Sequence, residues 1–513
     1  MGTYILRRLL LMIPTVIGMT FMVFALIALS PGGVGAALSV SGGGQMDAGS
    51  RAQQQAYLED RYGLDDSVFV QYVRWLGRVS PVKFGTRDQR APSGELVRPP
   101  KPVKPLPLYE IFIDAMPAGE DPPPFEFEPG STQAERTAVY RAASGAYAQA
   151  RGAYVRARAG YELAAGQLLR DAGMERLVER DGTLKPGARV AHLRTALDEV
   201  GGEAALRVEF DATLTAYGAA ESARKQLDAV FRARPFPEAG FPIIPGWVSV
   251  ATPDLGMSFS RGRPVSQLIE TALPVTLLLN FVAFPIVYLV AIPTGMLAAT
   301  RRGGAFDVLS GGLFVALWSI PIVWAGVLMM GYLANRSTGL GWFPVTGLHD
   351  VNADSMRFLP GPGSDGTFQI GFVLDTLWHM CLPVACLVYA GFAVLSKQTR
   401  AAMLDNFNAD YVRTAKAKGV ASKDIVFRHV FRNSLLPLIT MFVSIFPAML
   451  GGSVIVEQIF SINGMGKMVI DAIFLRDREV LLANAMIIGI VNMLALLLAD
   501  ILYAMADPRI SYD

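Results

Sequence analysis

Residues 271–300 read TALPVTLLLNFVAFPIVYLVAIPTGMLAAT, thirty positions without one Asp, Glu, Lys or Arg. About 20 apolar residues in a helix cross the roughly 30 Å hydrocarbon core of a bilayer. Backbone polar groups in lipid must be satisfied inside the segment, so the run reads as a helix. Five further stretches pass the same test without a charged residue: Leu9–Leu29, Val308–Ala334, Thr376–Ser396, Asn433–Val456 and Val480–Ala499. The 513 residues are 52% hydrophobic and only 18% charged, with mean hydropathy +0.36, which disfavours an ordinary soluble domain. The expectation is an all-α membrane protein of six spans.

Lys and Arg bias in short connections sets orientation. With a cytoplasmic N-terminus, the inner segments carry Arg7, Arg8, Arg301, Arg302, the basic run Lys397–Arg432 and Arg509. The outer loops carry only Arg336, Arg357, Lys467, Arg476 and Arg478. Both termini are then expected in the cytoplasm. The first apolar run, about 21 residues, exceeds the 7–15 of a cleavable signal core, so it reads as an uncleaved span.

The long connection after the first span is then extracytoplasmic. Residues 1–30 form the N-terminal region and first span, 31–79 the first exported part, 80–252 an insert, 253–270 the end of the exported region, and 271–513 the remaining five spans. Arg51–Val79 reads as a small folded unit with an amphipathic helix. RPPKPVKPLPL (98–108) and DPPPFEFEP (121–129) suit polyproline-like or irregular chain and mark a boundary. Beyond it, Tyr140, Tyr147, Tyr154, Tyr161 and Leu168 recur every seven residues, with Ala143, Ala150, Ala157 and Ala164 three residues after the first four. That seam of large and small residues predicts close helix packing. Leu206, Phe210, Tyr217, Ala220, Leu227 and Phe231 supply a returning arm, giving a helical hairpin over about 131–234. It is a spacer or a surface for a partner protein or second copy. Gly145, Gly152, Gly160 and Gly166 weaken its first helix locally.

No phosphate-cradling loop occurs: Gly466-Lys467 is followed by Met468 and lacks the first glycine of the motif. H-E-x-x-H and G-x-S-x-G are absent. The four histidines are scattered, and Cys381 and Cys386 lie within an apolar run as small packing residues. No catalytic residue, metal site, cofactor or nucleic-acid contact is therefore expected. An ion-coupled carrier usually buries ionisable groups at mid-membrane, whereas these spans offer only Asn280, His379 and several prolines. Asp500 follows the last run, placed to cap or pair.

Asp410–Pro437, DYVRTAKAKGVASKDIVFRHVFRNSLLP, breaks the apolar pattern with six Lys or Arg and two Asp. Residues Tyr411–Lys418 favour helix, Gly419 fits a stop, and Ser422 can N-cap a second helix through Ile425, Phe427, Val430 and Phe431. Ala415, Ala417 and Gly419 leave room for another protein's surface. Contact with anionic lipid explains some of the charge, but not the turn and the small residues.

With these residues in view, the chain resembles the permease subunits of ATP-binding-cassette importers, in the dipeptide/oligopeptide/nickel branch. The segments that carry the likeness are MGTYILRRLLLMIPTVIGMTFMVFALIALSPGG, YGLDDSVFVQYVRWLGRV, PDLGMSFSRGRPVSQLI, DYVRTAKAKGVASKDIVFRHVFRNSLLPLIT, GGSVIVEQIFSINGMGKMVIDAI and ADILYAMADPRI. The resemblance implies a bacterial inner-membrane protein whose cytoplasmic segment, about 405–433, docks on separate ATPase subunits. Tyr411, Arg413, Thr414, Ala415, Lys418, Gly419 and Asp424 would carry coupling, and Glu457, Gly464 and Gly466 would lie at the outer gate. Implied partners are a related second permease, two ATPase subunits or domains that hold ATP and Mg, and an extracytoplasmic solute-binding protein, all beside membrane lipid. Arg413-Thr414-Ala415 replaces the E-A-A of other branches, Asn463 replaces a common Pro, and about 170 residues between Val79 and Pro253 interrupt a region usually compact in the family. The competing expectations are a membrane-anchored scaffold whose hairpin recruits proteins, and an ion-coupled carrier.

Overall fold

The computed structural model describes residues 2–29 and 67–506 apart from 93, 95, 180–181, 186, 245–246, 259, 338, 363–367 and 452. The expected exported stretch up to residue 66 and Arg509 lie outside the described residues. Among the described residues fifteen α-helices of six residues or more organise the chain. They are α1 (Gly2–Leu29), α2 (Val68–Val79), α3 (Gln133–Asp171), α4 (Val190–Val200), α5 (Glu203–Arg232), α6 (Val265–Thr300), α7 (Ala305–Trp318) and α8 (Ile322–Met329). There follow α9 (Gly371–Phe407), α10 (Asp410–Ala417), α11 (Leu435–Val443), α12 (Ile445–Gly451), α13 (Val454–Ile459), α14 (Met465–Phe474) and α15 (Arg478–Ala506). Two compact units result, one of Met1–Ser41 with Leu255–Asp513 and one of Gly42–Asp254.

In the first unit α6 and α9 pack along each other, burying Leu279, Ala283, Val287 and Ala291 against Val384, Cys386, Val388 and Leu395. Val287 meets Gly391, and Gly295 meets Ser396 and Thr399, so the two helices run parallel. A Cβ on Gly295 would stand 2.6 Å from the Ser396 carbonyl oxygen, and its absence lets the backbones approach. Helix α1 runs antiparallel to α15: Tyr4 donates to Asp500 at 2.8 Å, Arg8 pairs with Asp500 at 3.2 Å, and Arg478 lies over the Phe24 ring.

Among the described residues five helical stretches are long and apolar enough to cross a membrane, or six if one bent pair is a single span. The bent pair falls in the run Val308–Ala334, expected as one crossing. Ala305–Trp318 and Ile322–Ala334 meet at 84°. Pro321 sits at the break with extended backbone; its ring disfavours helical geometry at Ile320 and it has no N–H to give. Tyr389 donates to the Ile320 carbonyl at 2.8 Å, satisfying an acceptor freed there. Pro274, Pro285 and Pro293 remain inside a continuous α6. The fifth expected crossing is likewise segmented, into α11, α12 and α13.

In the second unit α3 and α5 form the antiparallel pair that the heptad implies. Tyr140 meets Phe236, Tyr154 meets Tyr217, and Tyr161 meets Phe210, with centroids 5.2, 5.4 and 5.9 Å apart. Thr132 and Glu135 close a capping box at the start of α3, which runs unbroken through its glycines. At Gly166 a Cβ would lie 2.0 Å from the Gly182 carbonyl oxygen, so this glycine admits a neighbouring turn. The Pro-rich stretch is irregular but packed: Val103 and Leu106 are buried, and Tyr154 donates to the Lys104 carbonyl at 2.8 Å. Burial pushes the Tyr154 and Tyr217 hydroxyls up from their ordinary values, keeping both as donors. Short antiparallel strands depart from the all-α expectation. Val82–Phe84 pairs with Val248–Val250, which also pairs with Phe241–Ile244. These segments are rich in β-branched and aromatic residues, which fit a pleated ladder.

Candidate functional site

The basic segment is built on a short helix with two unlike faces. Val412 and Ala415, three residues apart, are buried with Met296 and Ala299 from the end of α6, Met403 of α9, and Ile425 and Val430. Arg413, Thr414, Lys416, Ala417 and Lys418 point away and are exposed. Asp410 occupies the first turn, where its charge suits the helix dipole. At the other end the Val420 N–H donates to the Ala415 carbonyl at 3.1 Å and the Gly419 N–H to Lys416 at 3.0 Å. With Gly419 at φ +72, this is a Schellman stop. Nothing lies within 4 Å of a Cβ built on Gly419, so its backbone angle rather than space calls for glycine.

Two sequence expectations change here. Ala415, expected to leave room for another protein, faces the chain's own core. Ser422 is not the N-cap: the Schellman bond draws Val420 back, Ala421 takes the extended cap position, and Ser422 opens the next turn without a side-chain cap bond. Ile425–Phe431 then continues as a π-helix, with Phe427 exposed. Asp424 pairs with Arg428 at 3.5 Å.

A polar tether fixes the segment to α9. The Tyr411 hydroxyl donates to Asn406 at 2.7 Å, and the Asn406 amide donates to Ser434 Oγ at 3.1 Å. Ser434 is fully buried, 2.8 Å from the Val430 carbonyl oxygen. Arg400 of α9 grips Asp307 of α7 with two bonds of 2.7 Å, and the Gly303 N–H donates to the same carboxylate at 2.9 Å. Sequence reasoning missed Asn406, Ser434, Asp307 and Arg400, because their partners lie far along the chain and no local motif marks them.

The structure brings Glu457, Gly464 and Gly466 together at a second place. Glu457 is fully buried. Its carboxylate accepts from the Thr276 hydroxyl at 2.9 Å, the Lys467 N–H at 2.9 Å and the Ser453 N–H at 3.3 Å. Thr276 Oγ1 in turn accepts from the Met465 N–H at 2.7 Å. The carboxylate and hydroxyl thus satisfy two of the open N–H groups of α14. A Cβ on Gly464 would stand 2.5 Å from Thr276 Oγ1 and 2.6 Å from Glu457 Cδ, and one on Gly466 2.8 Å from the Val454 backbone. Gly464 lets the carboxylate in, and Gly466 admits the Val454 backbone first and the carboxylate second. Beyond the other end of α14, Arg478, expected in an outer loop, is the buried first residue of α15 and binds Glu479 at 3.0 Å.

Among the described residues no three His, Cys, Asp or Glu side chains group as metal ligands. Cys386 is buried 3.7 Å from the Met329 sulfur, and His379 hydrogen-bonds the Asp375 carbonyl at 2.9 Å.

Residues 291–512 match the family described as "Binding-protein-dependent transport system inner membrane component". The oligopeptide transport system permease protein AppB of Bacillus subtilis is 40% identical over 261 residues, 50% of this chain and 76% of that protein. The inner membrane ABC transporter permease protein YejB of Escherichia coli O157:H7 is 35% identical over 51% of this chain and 68% of its own length. The di/tripeptide transport system permease protein DppB of Pseudomonas aeruginosa is 35% identical over 52% and 79%.

Proposed function

Since the chain belongs to the family of binding-protein-dependent transport system inner membrane components, among its peptide-importer permeases, we propose that the exposed face of α10 is where a separate ATP-hydrolysing subunit engages it. The observation that carries this reading is the split of α10 into an anchored face and an exposed cationic one, on which Arg413 pairs with Asp410 at 3.4 Å. Val412 and Ala415 seat the helix on the ends of α6 and α9, so a displacement of α10 by a docked motor would reach two membrane helices through packed side chains. Arg413, Thr414, Lys418 and Gly419 form the docking face, with Tyr411 and Asp424 holding its two ends. Ala415 contributes from beneath.

In this reading ATP and Mg are held by two ATPase subunits, a related second permease completes the pathway, and a solute-binding protein delivers the peptide. The chain has no catalytic role of its own. The pathway opens by rearrangement around the segment containing Glu457, Gly464 and Gly466 at its outer mouth. Six crossings with both ends cytoplasmic, and 31–270 outside, agree with the parallel packing of α6 and α9, because a chain joining two parallel neighbours must recross between them. The bent pair α7 and α8 would make that return.

Charge reversal at Arg413→Glu with Lys418→Glu tests the docking face. Both side chains are exposed, so membrane insertion should be unchanged while co-purification of the ATPase and peptide-stimulated hydrolysis fall at least ten-fold. Retention of both at wild-type levels would sink the assignment.

A further inference from the structure

A cavity of about 910 Å³ opens beside the Glu457 carboxylate's support, lined by Arg261, Arg263, Lys467 and Asp471 together with apolar side chains of α6 and α14. That volume lies within the usual range for small-molecule sites. Its charge is unbalanced. Arg261 spends itself on Asp471 at 2.7 Å, and among the described residues the Lys467 ammonium donates only to the neutral Asn463 amide oxygen at 3.1 Å. Among the described residues no partner meets the Arg263 guanidinium. Three cations therefore face one carboxylate, and a concave wall focuses the surplus field on whatever enters.

The wall is also fixed in advance. Ser461 holds φ +52, a costly conformation for a non-glycine residue. The Ile462 N–H donates to the Glu457 carbonyl at 2.8 Å, and the Gly347 N–H to Phe460 at 2.9 Å. Gly464, which lines the cavity, is pressed against the buried Glu457 carboxylate. The first-turn N–H groups of Met465 and Lys467 are already taken by Thr276 and Glu457, so an incoming anion would be met by side chains. Leu268, Ala272, Val275 and Met468 supply an apolar strip along the same cavity.

We propose that this cavity binds the terminal carboxylate of a short peptide, with Arg263 and Lys467 as its ligands and the peptide's apolar groups along α6 and α14. Charge-assisted bonds to two cations make the carboxylate the recognised feature. The inference rests on the transport reading only for the identity of the solute.

The test uses the full chain in lipid nanodiscs without ATP, photolabelled by a diazirine derivative of trialanine with cross-links mapped by mass spectrometry. Labelling should fall within 261–275 and 461–471, and trialanine should compete at concentrations at least ten-fold lower than trialanine amide. Arg263→Gln with Lys467→Gln should abolish that difference and leave competition by the amide unchanged, which also shows that the variant is folded. Equal competition by the two peptides in the wild type, or equal weakening of both in the variant, overturns the subsite. Peptide uptake by the assembled importer is read separately. Absent uptake with intact carboxylate discrimination would overturn the transport reading and support the subsite, whereas normal uptake without discrimination would do the reverse.

Discussion

Gly464 and Gly419 are both glycine on physical grounds, and the grounds are opposite. Gly464 has ordinary backbone angles and no room, with Thr276 and Glu457 where its Cβ would be. Gly419 has open space where its Cβ would be and a left-handed backbone. The first serves a buried carboxylate assembled from distant segments. The second ends a helix by a rule contained in a few consecutive residues. Substitution should therefore damage the fold at one and the motion of an exposed helix at the other.

The largest effect is expected from Glu457→Ala, which leaves the buried Thr276 hydroxyl and the half-buried Ser453 and Lys467 N–H groups without their acceptor. At roughly 1–3 kcal/mol for each orphaned group, the loss should be about 3 kcal/mol or more, seen as a large fall in the thermal midpoint of the detergent-solubilised protein. Gly464→Ala comes next, at about 1–3 kcal/mol from overpacking. Combined with Glu457→Ala it should cost less than the sum, since removing the carboxylate vacates part of the clash. Strictly additive midpoints would mean that the two residues do not share one space.

Gly419→Ala should cost only about 1–2 kcal/mol of left-handed strain, local to α10. Hydrogen exchange of Val420 and Gly419 amides should accelerate while the global midpoint barely moves. A midpoint shift as large as that of Gly464→Ala would erase the distinction. Smallest is Thr132→Ala at the start of α3, about 1 kcal/mol for a lost cap. The Glu135 carboxyl is held below its ordinary value by the hydrogen bonds from Thr132. Its contribution is complete above the unfolded-state value and fades as pH falls through the lowered one. Fraying of the first turn of α3 in acid should therefore follow that titration in the wild type, persist in part in Thr132→Ala, which keeps the backbone N–H that donates to Glu135, and be absent from Glu135→Gln, which has no carboxyl to titrate.

Legibility in the sequence follows the same division. The hairpin was readable because Tyr147, Tyr154 and Tyr161 bury themselves at a fixed helical interval, and the stop at Gly419 because its donors and acceptors lie within six residues. The Pro-rich stretch was readable as irregular, yet nothing in it announces that Tyr154 would bond the Lys104 carbonyl. Glu457, Gly464 and Gly466 were recognised as a group, but their reason for being together includes Thr276, 181 positions away from Glu457. Asp307 and Arg400, separated by 93 positions, left no local trace. Identical residues also diverged: Pro285 sits within a continuous helix while Pro321 turns the chain by 84°, since surrounding packing and the Tyr389 hydroxyl decide where a freed carbonyl can be satisfied.

By itself the sequence determined where the chain is apolar enough for lipid, which helices carry a periodic seam, and where α10 must stop, because hydropathy, periodicity and backbone angle are properties of neighbouring residues. Tertiary structure decided which face of α10 stays free, how α7 and α8 divide, and what surrounds Glu457. Those outcomes depend on satisfying buried polar groups and filling space, and the atoms that do so come from segments that meet only in the folded protein.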